Sequence, residues 1–168
     1  ALMFSSAVDN LVITKAEVVL REIELEQVEV ADCDVTPEPP SCKDFETGPI
    51  RLEIPTAAGA TARVTIDIPT GTYNEIEFEI HKVSGSDPAE AAFRAANPDL
   101  LDKSIKVTGT FNGQAFTFES DLDVEQELAL TPNLVISDQT TATNVTIRVV
   151  LGDWFRTATG TLINPATA

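Results

Sequence analysis

Residues 11–30 read LVITKAEVVLREIELEQVEV, and the reading of this stretch decides the fold. Val12, Ala16, Val18 and Leu20 share one face of an extended strand, whereas Ile23 and Leu25 fall on the opposite parity. One strand can carry both sets only with a bulge near Arg21, where an extra residue shifts the side-chain alternation. The same residues also fit a helix, since Ala16, Val19, Leu20 and Ile23 follow the i, i+3, i+4, i+7 spacing. The abundance of Val and Ile and the lack of an obvious helix cap favour the bulged strand.

Outward from this stretch the alternation continues. Ile50, Leu52 and Ile54 alternate up to Pro55, and Val64, Ile66 and Ile68 alternate up to Pro69. Pro69-Thr70-Gly71-Thr72 reads as a turn in which Gly71 is free to take a positive φ. Beyond it Ile76, Phe78 and Ile80 face inward while Glu75, Glu77 and Glu79 face water, the pattern of a half-buried strand. Residues 86–103 break the pattern. Asp87 offers an N-cap, Pro88 suits the first helical position, and Asn97-Pro98 ends an alanine-rich run, so a short helix is expected in a crossover. Residues 105–120 form a hairpin around Asn112-Gly113, with Phe111 opposite Gln114, Gly109 opposite Phe116 and Val107 opposite Phe118. Leu122, Val124, Leu128 and Leu130 share one parity, Leu134 and Ile136 make a short strand, and Val145, Ile147, Val149 and Leu151 the last clear one. Trp154 and Phe155 are expected to pack across the end of the core. The result is a mainly β chain, an antiparallel β-sandwich of eight to ten strands with one short helix in a crossover. Residues 1–10 read as an N-terminal extension and 11–168 as a single β-sandwich domain.

Composition agrees. Thr, Val and Ile make up 47 of the 168 residues, which favours strands. Lys and Arg number 11 against 27 Asp and Glu, a net charge of −16. A field of that sign repels phosphate backbones and anionic lipid, so no nucleic-acid partner is expected. No apolar run approaches the roughly 20 residues of a spanning helix.

The chain begins at Ala1, without the residue order of a signal peptide, and reads as a mature, processed product. Cys33 and Cys42 are the only cysteines and flank a proline-rich loop. With a single histidine, His81, they cannot assemble a four-ligand zinc site, and their spacing is not that of a C-x-x-C redox pair. A disulfide is the main reading, contributing about 2.7 kcal/mol in the chain-entropy model; two buried thiols are the alternative. A disulfide implies export, hence an extracellular or cell-surface location.

Pro69-Thr70-Gly71-Thr72-Tyr73 leading into an alternating strand resembles the P-x-G-x-Y strand entry of prealbumin-like β-sandwich modules in bacterial surface proteins. The wider layout, with its acidic Cys loop and closing Trp154-Phe155-Arg156, is similar to that of uncharacterised secreted or lipid-anchored bacterial proteins. The resemblance implies a non-catalytic exported sandwich and carries no active site to transfer.

Asp121, Asp123, Glu125 and Glu127 alternate, as do Glu75, Glu77 and Glu79, and Glu22, Glu24 and Glu26. Ca²⁺ ligation, with Asp121, Asp123 and Glu125 as the candidates, is set against a solvated sheet face that keeps the protein soluble. Asp32 and Asp34 beside Cys33 are a lesser cation candidate. Asn144-Val145-Thr146 is an N-glycosylation sequon. No nucleophile elbow or phosphate loop is present, so neither an enzyme nor a cofactor is expected. Leu2, Phe4 and Val8 alternate in a terminal segment with no strand partner nearby in sequence. That segment suits strand addition to a neighbouring copy, although pairing within its own sheet is equally open. The expected function is a structural subunit of a cell-surface filament or matrix layer that self-associates into a polymer. The alternative is a surface adhesin or Ca²⁺-dependent carbohydrate-binding module with a glycan partner.

Overall fold

A computed structural model describes residues 1–6, 8–28, 36–37, 42–57, 61–137 and 143–168. The quoted stretch is one long strand, β2 (Asn10–Gln27), and it organises the molecule. Leu20 pairs with Ile50 on one side and with Ile80 on the other, and Leu11, Val18 and Leu25 are bracketed in the same way. Three short strands therefore line one edge of β2: β1 (Leu2–Ser5), β3 (Phe45–Glu46) and β4 (Ile50–Ile54). The other edge takes β6 (Gly71–Ile80) and β7 (Ile105–Phe111) end to end, extended outward by β9 (Val124–Ile136) and β8 (Gln114–Ser120) respectively. All these pairings are antiparallel. A smaller sheet, β5 (Ala62–Ile66) with β10 (Thr143–Ile147), shares its core with β2, so the chain is mainly β, as its alternation predicts.

The bulge expected near Arg21 is present: register shifts between Leu20 and Glu22. A second shift, between Ile13 and Lys15, is not anticipated by the sequence reading. It moves the inward face from Leu11 and Ile13 to Ala16, Val18 and Leu20, so Val12 is only half-buried, not a core residue as its parity suggested. Opposite this bulge sits Gly109, where any Cβ would collide with the Val12 carbonyl oxygen. The kinked backbone and the missing side chain require each other.

The hairpin of β7 and β8 has the predicted register, with Asn112 (φ 51°) and Gly113 (φ 80°) both at positive φ at its tip. That is the requirement of a two-residue hairpin turn whose twist matches the strands. The crossover helix α1 (Pro88–Ala96) also forms as expected: Asp87 accepts hydrogen bonds from the backbone N–H groups of Ala89 (2.9 Å) and Glu90 (3.0 Å). A single 3-10 turn, Pro98–Leu100, follows. Together they cover the outer face of β2, where Val19, Val83 and Leu100 are buried with Phe93 against them. Ion pairs fasten the insertion. Arg21 bridges Glu79 (2.8 Å) and Glu90 (2.9 Å), and Arg51 bridges the buried Glu17 (2.6 Å) and Asp99 (2.9 Å).

Two boundaries and one turn conformation differ from expectation. β9 is one irregular strand through the 122–136 region, where two were expected; its register with β6 breaks between Ala129 and Leu134. The last strand ends at Ile147, and Leu151–Trp154 forms a helical turn, α2. That turn delivers Phe155 into the core, edge-on to Phe118 at 5.2 Å and to Phe116 at 6.1 Å. The aromatic contact, worth about 1 kcal/mol beyond area burial, is one a straight strand through Leu151 would forgo. Finally, Gly71 is not at positive φ; it supplies room for the ring of Tyr73, whose hydroxyl reaches back to Pro69.

Of the two readings open for the N-terminal segment, the structure has the pairing within its own sheet. Leu2–Ser5 does find a partner in the single chain: it pairs with β2 in register Leu2↔Ile13 to Ser5↔Asn10. The chain reverses through a turn in which Ser6 N–H donates to the Asp9 carbonyl (2.8 Å) and Asp9 N–H to the Ser6 hydroxyl (2.9 Å). Leu2 and Phe4 are half-buried against the main core, while Val8 lies beyond the strand and is 84% exposed. No helix among the described residues is long and apolar enough to cross a membrane.

Candidate functional site

After the Arg21 bulge, β2 alternates glutamate with apolar residues, as does β6, and the first half of β9 alternates glutamate with Val124, Gln126 and Leu128. Antiparallel pairing places equivalent residues of these strands side by side. Glu46, Glu24, Glu77 and Glu127 form one row across β3, β2, β6 and β9. Glu22, Glu79 and Glu125 form the next row, and Glu26 pairs with Glu75 beyond. The opposite face of the same strands carries Ile23, Leu25, Ile76 and Phe78. Segregation of this kind follows from period-two alternation once the register is set.

Carboxylates directly opposite one another repel. Partial burial raises the Glu22 carboxyl above the ordinary range, with Glu46 adding to it. Burial likewise raises Glu24, helped by Glu46 and Glu77, and raises Glu77, helped by Glu125 and Glu127. The cation at this end of the face is Arg21, at the rim and committed to Glu79 and Glu90; its hydrogen bond to Glu90 above all holds its guanidinium far above its usual value. Among the described residues no salt bridge reaches Glu24, Glu46, Glu77 or Glu127.

Three groups of side chains on this face bring ligand-type atoms within 4.8 Å of one another: Glu22, Glu24 and Glu46; Glu77, Glu125 and Glu127; and Glu79, His81 and Asp123. Hard cations favour such oxygen clusters, though they usually recruit mixed ligands from a loop. The Ca²⁺ candidates from the sequence do not converge. Asp121 and Asp123 lie in the connection before β9, not on it. Asp121 pairs with Lys82 at 3.2 Å, which holds its carboxyl below the usual range. Asp123 stands 3.3 Å from His81 Nδ1, and Glu125 belongs with Glu77 and Glu127. They alternate in sequence, but the strand begins only at Val124, so they take separate partners.

Sequence reasoning identified the three acidic rows singly and missed Glu46 and the contact of the rows. The signal was the matched alternation of three segments; what it lacked was their order in the sheet. Cys33, Asp32 and Asp34 lie outside the described residues; no described cysteine is free. Asn144 lies within β10, opposite Thr65. Comparison with protein-family models, curated proteins and solved structures returns no match to this chain.

Proposed function

We propose that the protein is a non-catalytic structural protein of the cell exterior, a subunit of a filament or matrix layer whose copies are joined by strand addition through β1. The seat of β1 is the observation that supports this reading. β1 is a four-residue strand whose outer edge has no partner among the described residues. It carries its own anchors. Phe4 packs where Gly152 has no side chain, a Cβ there falling 2.8 Å from its ring, and Arg156 stands 5.7 Å from the ring centroid. A recess of about 390 Å³ opens beside it, lined by Leu2, Phe4, Pro55, Val149 and Leu151.

Opening the Ser6–Asp9 turn lets β1 of one copy take the same seat on the next. Such an exchange repeats between chains the contacts made within one, so its costs are the opened turn and the freedom lost when copies associate. Passed on in one direction it does not close and builds a filament; reciprocated, it builds a dimer. The acidic face and the net charge of −16 oppose association through other surfaces. A Cys33–Cys42 disulfide belongs to the same reading, since it requires an oxidising compartment.

The test is deletion of residues 1–6, with size followed by light scattering and negative-stain microscopy. The full chain is expected to form polymers, and the truncated chain to remain a folded monomer that binds the missing segment as a peptide. Polymerisation of the truncated chain to the same extent, or a full chain that stays monomeric at all concentrations, overturns the reading. A second reading, a Ca²⁺-dependent adhesin or carbohydrate-binding module, is favoured by the two all-glutamate clusters and the Glu79, His81 and Asp123 cluster. Calorimetry separates the two: a stoichiometric Ca²⁺ site tighter than about 10⁻⁴ M selects the adhesin.

A further inference from the structure

β9 pairs with β6 along one edge, and among the described residues nothing pairs with the other. From Val124 to Ala129 the pairing with β6 is unbroken, so the free edge over this run is a regular ladder of unpaired main-chain groups. Leu128 lies on the apolar face of this edge and is 51% exposed; Leu122, just before the strand, is 46% exposed. On the other face Glu125 and Glu127 end the carboxylate rows.

Natural edges of this length are commonly guarded by lysine or proline. β9 contains no lysine or arginine, and its proline, Pro132, lies outside the regular run. The glutamates guard it against one partner in particular, a second copy of itself. Antiparallel pairing of two such edges about Gln126 sets Glu125 of each copy against Glu127 of the other. Like charges directly opposite destabilise a sheet. The same side chains attract a strand of the opposite sign.

We propose that the free edge of β9 docks an extended segment of another protein in which lysine or arginine alternates with apolar residues. Main-chain bonds extend the sheet by one strand. The basic side chains lie beside Glu125 and Glu127 and continue the acidic rows with cations. The apolar ones lie on the opposite face and cover Leu128. Strand addition supplies affinity through the ladder and specificity through alternate side chains. This site is distinct from the β1 seat and survives the failure of that reading.

The probe is a synthetic peptide of about nine residues, longer than the common strand, that alternates lysine with valine. It is titrated into the full chain and followed by amide chemical shifts and calorimetry. Binding is expected with shifts concentrated on residues 124–129, and it should vanish when alternate peptide nitrogens of the probe are methylated. The double variant Glu125→Gln, Glu127→Gln should weaken it by about tenfold, the loss of two exposed ion pairs. Four outcomes overturn the proposal. These are no binding at millimolar peptide, equal binding of the methylated probe (charge adsorption only), shifts confined to other strands, and self-pairing of the chain through β9 that excludes the peptide.

Discussion

The hydroxyl of Tyr73 donates to the carbonyl of Pro69 at 3.0 Å, folding the ring back across Gly71 and closing the turn that opens β6. Tyr73 is buried, and an added Cβ at Gly71 falls 3.2 Å from both its Cζ and its hydroxyl oxygen. The three residues of the P-x-G-x-Y entry thus act as one unit: acceptor, space and donor.

Tyr73→Phe should therefore lower stability by about 1 kcal/mol, one net hydrogen bond. Gly71→Ala should cost more, about 1–3 kcal/mol, because the end of the Gln27 side chain must move out of the new methyl's place and the Tyr73 ring must give as well. Burial raises the phenol above its ordinary value. A pKa raised on folding means that the contribution is intact below the unfolded value, about 10, and is lost as pH climbs through the folded one. Tyr73 is the sole tyrosine, so absorbance titration of the native protein reads this group alone.

Arg21 keeps Glu90 company in a place where the carboxylate is only 5% exposed. Replacing Arg21 with Met should cost about 2 kcal/mol, below the 3–5 of a fully buried pair because Arg21 itself is over a third exposed. Adding Glu90→Gln should restore most of the loss. Denaturant midpoints of the single and double variants check this, and an additive double variant contradicts it.

The acidic face predicts an unusual pH profile. Glu22, Glu24 and Glu77 are raised, by burial and then by neighbouring carboxylates. Their contribution is fully present below the unfolded value and is lost as pH rises through the folded one. Asp99 is lowered by its hydrogen bond to Arg51, so its contribution is lost as pH falls below the ordinary aspartate range. The melting temperature should rise from pH 7 toward pH 5 and fall again below about pH 4. Glu77→Gln should raise stability at pH 7 and flatten the upper limb; a profile that declines steadily from neutrality refutes the account.

The two cysteines should be joined. Intact mass under native conditions should lie about 2 Da below that of the reduced protein, with no thiol reacting until reductant is added. Two alkylated cysteines in unreduced protein remove the argument for export.

The strands of this protein are written in residues a few positions apart. Alternation marks β4, β6 and β10, Asn112-Gly113 fixes a hairpin register to the residue, and Asp87-Pro88 with Asn97-Pro98 bounds α1. Even the Arg21 bulge is visible, because it inverts parity within one stretch. Each of these features depends on local backbone geometry, which a short window of side chains specifies. What only the tertiary structure decided are relationships between distant segments. The second bulge answers to Gly109, nearly a hundred residues away. Residues 151–154 turn helical where Phe155 enters the core against Phe116 and Phe118. Leu2–Ser5 settles on β2 because Phe4 finds the space above Gly152. The acidic rows become one face only when β3, β2, β6 and β9 lie side by side. Nothing in a glutamate's own segment says which strand will be its neighbour, since pairing order is set by burial of the apolar faces and not by the charges they carry along.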